Sequence, residues 1–322
     1  MPNARITTHE DADKAVGADD AIERVQAALL AWFETSQRRL PWRETSDAYA
    51  VLVSEVMLQQ TQVERVVPVY HAFLRRFPTF EALAEAPTSE VIRAWAGMGY
   101  NRRALNLQRA AQAVVERYGG ALPRDPKTLR ALPGVGAYTA NALACFALGE
   151  QAAVVDTNVR RVLGRVFHWP SAPTDREAAE TARRVLPEGE AWAWNQALMD
   201  LGATVCTSRR PACLLCPLRE YCPAAGALQG EPASAVAETR AAYRPKTERF
   251  EGSSRYYRGR AVAHLRSLAD GASCGLGELG AAVKADYSDA DGAWLRSLLE
   301  GLARDGLVAV RDEEGATRVS LP

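Results

Sequence analysis

Four cysteines, Cys206, Cys213, Cys216 and Cys222, stand in one short segment with the spacing C-x6-C-x2-C-x5-C. In a reducing compartment, thiols this close are metal ligands rather than disulfides. A structural zinc site usually presents paired C-x2-C knuckles, and only one such pair occurs here. Four thiolates also suit a [4Fe–4S] cube. Spacing alone leaves both open. Between the first two cysteines lie Arg209 and Arg210, on a loop that would suit a phosphate backbone or would simply be solvated. Cys145 and Cys274 fall in apolar surroundings and are expected to be packing residues.

Two carboxylates have settings that could do acid–base work. Asp156 follows an apolar approach, Val154-Val155, and precedes a helical stretch, Thr157 to Phe167. It is a ready helix N-cap, or an ionised group facing a developing cation. Glu55 lies on the same helical stripe as Val51, Leu52 and Leu58. It is either a solvent-facing glutamate or a carboxyl whose apolar neighbours help it keep its proton. Leu132-Pro133-Gly134-Val135-Gly136-Ala137-Tyr138 joins two helical stretches through a glycine turn. There backbone N–H groups at a helix start could meet a phosphate.

The elements that must position these groups are helical. Apolar residues recur at helical spacing over Ala21–Phe33 and again over Val51–Val67. Further helices are expected near 79–84, 89–96, 104–118, 138–147, 157–167, 176–186 and 191–201, separated by Pro and Gly. The body therefore reads as all-α. Residues 1–20 are polar and acidic and are expected to form a disordered tail. The Ala/Gly/Ser/Pro-rich stretch 226–249 reads as a linker. From 250 to 322 three helical stretches precede a β-hairpin, the order of a winged-helix-like α+β domain. No apolar run approaches the roughly 20 residues of a membrane helix, and a cytoplasmic, nucleoid-associated monomer is expected. Charge is uninformative here: Lys+Arg and Asp+Glu are both 39, so any nucleic-acid face must come from uneven distribution.

Hairpin, downstream aspartate and terminal four-cysteine run together resemble the helix-hairpin-helix glycosylases of the endonuclease III type, over about Leu40 to Cys222. The resemblance implies a two-lobed fold with a [4Fe–4S] cluster held by Cys206, Cys213, Cys216 and Cys222. It places a six-helix hairpin domain at about 46–150 and an iron–sulfur domain made of 21–45 with 151–225. Within this class, enzymes that also cut the strand carry a lysine after Gly-Val-Gly-x, whose amine forms a Schiff base. Tyr138 occupies that position, which implies a monofunctional enzyme that leaves an abasic site.

The string Val53-Ser54-Glu55-Val56-Met57-Leu58-Gln59-Gln60-Thr61-Gln62 is similar to that of the adenine DNA glycosylases (MutY type). So are Leu40-Pro41-Trp42-Arg43, Gly97-Met98-Gly99-Tyr100 and Asn195-Gln196-Ala197-Leu198-Met199-Asp200. The likeness implies double-stranded DNA holding A·8-oxoguanine or A·G mispairs as partner. Glu55 would protonate the extruded adenine at N7, and Asp156 would stabilise an oxocarbenium-like sugar. Tyr138 and Asn158 would orient that centre, and Trp42, Arg43 and Gln196 would surround the base. Gln60, Thr61 and Tyr100 would enter the stack, while Gly134, Val135, Gly136, Arg209 and Arg210 would contact the backbone.

Three departures stand out. Thr157 replaces the family's usual glycine after the aspartate, and Asn101 replaces a second tyrosine after Tyr100. No Nudix-like domain with its Phe/Ser/His signature for oxidised guanine is recognisable after Phe250. Arg255, Arg258 and Arg260 offer an alternative DNA contact or a solvated segment. The competing readings are a thymine glycosylase acting on T·G mispairs and a non-catalytic iron–sulfur DNA-binding protein.

Overall fold

The computed structural model describes residues 9–228, 249–313 and 316–322. Its elements in chain order begin with α1 (His9–Ser36), α2 (Ala48–Leu58), α3 (Val63–Arg76), α4 (Phe80–Glu85), α5 (Thr88–Ala94), α6 (Arg102–Tyr118) and α7 (Pro126–Leu129). There follow α8 (Ala137–Phe146), α9 (Thr157–Leu163), α10 (Asp175–Arg184), α11 (Ala191–Thr204) and α12 (Ala224–Ala227). The C-terminal part is α13 (Ser254–Ser267), β1 (Ser273–Gly275), α14 (Leu276–Val283), α15 (Gly292–Arg304), β2 (Ala309–Glu313) and β3 (Ala316–Ser320). The all-α body with a small C-terminal α+β domain is thus as the sequence reads.

Helix α1 starts at His9, inside the segment expected to be a disordered tail; residues 1–8 and 229–248 of the expected linker lie outside the described residues. A second difference carries more weight. The helical pattern read as continuous over 51–67 is broken at Gln59–Gln62 into α2 and α3, with Gln60 at φ +57°. Apolar residues continue on both sides of the break, so their spacing alone does not register it.

The chain divides into two units, the described parts of Met1–Glu44 with Asn141–Tyr243, and those of Thr45–Ala140 with Arg244–Pro322. In the first, Val25, Leu29 and Phe33 project from one side of α1. They share a core with Val159, Val162 and Leu163 of α9 and Trp194, Ala197, Leu198 and Leu201 of α11. Cys206, Cys216 and Cys222 pack at its edge. Burying these side chains is what holds α9 and its N-cap in place.

In the second unit α2 is buried from Tyr49 to Met57, as a helix apolar all round must be. Asp47 starts it by accepting a hydrogen bond from the Tyr49 N–H at 3.0 Å. The C-terminal helices and strands are fused to this unit: Ile92 and Leu105 share a core with Val262, Leu265, Leu299, Leu302 and Val319. The sheet has the order β1-β3-β2, all antiparallel, with Val319 opposite both Cys274 and Val310. Helix, strand, two helices and a hairpin is the winged-helix order. Strand β1 escapes the sequence pattern because three residues show no alternation.

Candidate functional site

In the first unit the apolar segment before α9 is pinned by Asn195. Its Oδ1 accepts from the Val154 N–H at 2.9 Å, and its Nδ2 donates to the Ala152 carbonyl at 2.9 Å and the Ala191 carbonyl at 2.8 Å. The chain emerges at Asp156, which caps α9: Oδ1 accepts from the Val159 N–H at 2.7 Å. Oδ2 accepts from Asn158 Nδ2 at 2.9 Å. Hydrogen bonds to both oxygens fix the orientation of the carboxyl group. Asn158 in turn accepts at Oδ1 from Arg161 Nη2 at 2.9 Å, and Arg161 Nε donates to the Cys206 carbonyl at 2.9 Å. Gly202 makes this line possible, since a Cβ there would lie 2.7 Å from the Asn158 Cβ. Asp156 and Asn158 are therefore held together, with Arg161 and Gly202 completing the line.

Trp42 is buried on a single 3-10 turn, Pro41–Arg43. The Arg43 guanidinium is committed to partners within its own unit. Nη1 and Nη2 each reach an oxygen of Asp200 at 2.8 Å, and Nη1 also donates to the Arg38 carbonyl at 3.0 Å. Burial works against ionisation of Asp200, but the hydrogen bonds from Arg43 and Arg38 outweigh it and hold its carboxyl below the usual range. This fork ties the Trp42 turn to α11, which also carries the buried Gln196. Arg43 thus positions rather than presents.

The four cysteines line one cavity together with Arg165, Val205, Pro211, Ala225 and Leu228. Burial pushes the Cys216 thiol up to about 11. Four thiols lining one cavity are a donor set that suits an iron–sulfur cube. Arg165 sits on the π-turn Gly164–His168 after α9. It donates to Cys206 Sγ at 3.3 Å and to the Thr207 carbonyl at 2.8 Å. A cationic donor beside these sulfurs compensates the negative charge of four thiolates, and the residues present fit an iron–sulfur cluster. Arg209 and Arg210 are exposed on the loop this arginine holds. Cys145 and Cys274 are buried elsewhere, as expected of packing residues.

In the second unit Glu55 is 6% exposed, which removes the solvent-facing reading. Beyond the end of its helix, Gln60 and Tyr100 are, among the described residues, the non-glycine residues with positive φ, +57° and +44°. Both belong to the group expected to enter the DNA stack. Such backbone is costly for ordinary residues and persists only where neighbours enforce it. Here Arg103 does so. One guanidinium nitrogen donates to the carbonyls of Val56 and Met57 at 2.9 Å, and the other to the Met98 carbonyl at 3.0 Å and Thr61 Oγ1 at 2.9 Å. The same group stacks on the Tyr100 ring, 5.7 Å from its centroid. Burial pushes the Arg103 guanidinium down to about 10 while Tyr100 opposes that, so it remains charged at neutral pH. Tyr100 itself is 51% exposed. Arg103 is the residue that sequence reading misses, being an ordinary helix arginine by pattern.

The glycine hairpin lies between α7 and α8. Gly134 has φ +79° and no room for a side chain, a Cβ meeting the Asn106 Cβ at 2.8 Å. Gly136 is not in the positive-φ region, and nothing lies within 4 Å of its Cβ direction; its value is open backbone. Val135 is buried, and Tyr138 opens α8. Arg258 pairs with Asp305, while exposed Arg260 donates to Tyr256 Oη and to the Ala282 carbonyl, and Arg255 is exposed.

A two-helix glycine hairpin, a capping aspartate beyond it and a four-cysteine cavity define a helix-hairpin-helix base-excision protein. Residues 53–188 match the model of the HhH-GPD superfamily base excision DNA repair proteins, and 206–222 that of the iron-sulfur binding domain of endonuclease III. The chain is 44% identical to the adenine DNA glycosylase of Mycolicibacterium smegmatis over 74% of its length and 79% of that protein. It is 41% identical to the adenine DNA glycosylase of Mycobacterium tuberculosis over 91% and 92%. A solved thermostable thymine-DNA glycosylase superposes with a TM-score of 0.62 at 32% identity, covering 65% of this chain and 99% of that one. The chain belongs to the adenine DNA glycosylase family and holds a [4Fe–4S] cluster. Among the described residues no helix is long and apolar enough to cross a membrane.

Proposed function

We propose that this protein binds duplex DNA and hydrolyses the N-glycosyl bond of adenine mispaired with 8-oxoguanine or guanine, leaving an abasic site. The observation that carries this reading is the contrast between its two carboxyls: Glu55 is buried in an apolar helix, and Asp156 is capped by two hydrogen bonds. Glycoside hydrolysis uses one carboxyl to give a proton to the leaving group and a second to face the developing cation. Glu55 delivers its proton to N7 of the extruded adenine, which then departs as a neutral base. Asp156 faces and stabilises the oxocarbenium-like sugar while water attacks. Asn158 fixes the Asp156 carboxylate, and Tyr138 stands where a strand-cutting enzyme carries its lysine. Trp42 and Gln196 contact the base, with Arg43 fixing the Trp42 turn.

Gln60, Thr61 and Tyr100 occupy the gap left by extrusion, which costs a few kcal/mol and least at a mispair. Gly134, Val135 and Gly136 offer backbone N–H groups to a phosphate, and Arg209 and Arg210 offer charge. Cys206, Cys213, Cys216 and Cys222 hold the cluster, which when bound ties the loop carrying those arginines into a fixed shape. A monomer acting on the nucleoid in the cytoplasm fits this work. Thymine release is disfavoured because thymine has no N7 for Glu55 to protonate.

The test is a set of duplexes holding A·8-oxoguanine, A·G or T·G, treated with enzyme and then with or without alkali. The expected result is cleavage only after alkali and only in the adenine strand. Glu55→Gln and Asp156→Asn should each lower the rate by at least about a hundredfold. Cutting without alkali overturns the monofunctional assignment, and thymine release overturns the substrate.

A further inference from the structure

Within the second unit the C-terminal domain meets the start of α6 at a particular place. Arg266, in the last turn of α13, donates from Nη2 to Asn101 Oδ1 at 2.7 Å. Asn101 is the N-cap residue of α6, yet its side chain makes no capping bond there. It is spent instead on the C-terminal domain, one residue after the exposed, positive-φ Tyr100. The contact is embedded in a rigid frame. Arg93 of α5 donates to the carbonyls of Leu268 at 3.0 Å and Ala269 at 3.2 Å, and also to that of Arg266. Ile92 and Leu105 close the shared core behind it. Tyr100 is therefore held from two sides, by Arg103 under its ring and by Arg266 through its neighbour.

We propose that the C-terminal domain positions the Tyr100 turn, with Arg266 and Asn101 as the positioning pair, and so sets how strongly the enzyme discriminates among bases opposite the target adenine. This rests on the reading given under Proposed function. A turn held in strained backbone keeps one geometry only while its supports are intact. Discrimination between 8-oxoguanine and guanine depends on that geometry, because the two purines differ only at their edge. The winged unit acts here as a brace for the stack-entering tyrosine and needs no base contact of its own.

The experiment compares wild type, Arg266→Met, Asn101→Ala, the double variant and Asn101→Asp. Binding and single-turnover adenine release are measured on A·8-oxoguanine and A·G duplexes, with melting temperatures taken alongside. Each of Arg266→Met and Asn101→Ala is expected to lower the preference for 8-oxoguanine over guanine by roughly tenfold, the worth of one charge-assisted hydrogen bond. The double variant should lose no more than either single one, which marks the two residues as a coupled pair. Asn101→Asp should keep the preference while Arg266 is present, since a carboxylate accepts the same bond. Unchanged preference in both single variants, whatever their melting temperatures, overturns the inference. A wild type that releases no adenine from either duplex overturns the underlying functional reading instead, a result distinguishable from an active enzyme with an unaltered ratio.

Discussion

Arg161 spans the distance between Asn158 and the backbone of Cys206, donating to the amide oxygen of the first and the carbonyl of the second, each at 2.9 Å. The Asp156 carboxylate is thereby linked through one amide and one guanidinium to the first cysteine of the cavity. The linkage runs in a single polypeptide neighbourhood, because Asp156 caps α9, Asn158 and Arg161 lie on it, and Gly202 lets α11 approach it. Chemistry and cluster loop share one support.

Arg161→Gln is accordingly expected to do two things at once. Adenine release should slow by roughly tenfold to a hundredfold, because the Asp156 carboxylate loses its fixed orientation. The cluster's visible absorbance should also fade faster in air than in wild type. Single-turnover kinetics and absorbance decay, measured on the same preparation, check both. A change in one without the other contradicts the shared support.

The Arg43–Asp200 fork gives a pH dependence of definite sign. Asp200 is fully buried and its carboxyl is held below the ordinary range, hydrogen bonds from Arg43 and Arg38 overcoming the opposing effect of burial. A carboxyl depressed on folding contributes stability that is present above its unfolded value of about 3.9 and is lost as pH falls through its lower folded value. Asp200→Asn should cost about 3–5 kcal/mol at neutral pH, since it strands a buried guanidinium. The gap between wild type and variant should shrink below about pH 4. Chemical denaturation across pH measures this directly.

Arg103→Met should leave the helix in place and release both strained loops. Carbonyls of Val56, Met57 and Met98 lose their donor, which costs stability. Mispair affinity should fall more than tenfold, as Gln60 and Tyr100 are no longer held in positive φ. Affinity for undamaged duplex should change little. Titration of both duplexes by fluorescence anisotropy checks the contrast.

How much of this was legible beforehand differs by element. The helices, the glycine hairpin, the capping aspartate and the cysteine cavity follow from periodicity, turn chemistry and spacing, all of them local signals. The break at Gln59–Gln62 was invisible because it depends on Arg103, more than forty residues onward in the chain. The commitment of Arg43 to Asp200 leaves no local pattern, because the two lie far apart in sequence. The attachment of the C-terminal domain through Arg93 and Arg266 was hidden for the same reason. Long-range bonds of buried arginines leave no local pattern, and here they account for most of what sequence reading missed.

The central claim is that Glu55 transfers a proton to N7 of the departing adenine. Its most direct test is single-turnover release of base from a duplex in which 7-deazaadenine replaces adenine opposite 8-oxoguanine. The analogue should bind as tightly as adenine and remain attached to its sugar, because no ring nitrogen is left at that position to take the proton. Release of 7-deazaadenine at a rate comparable to adenine would contradict the assignment.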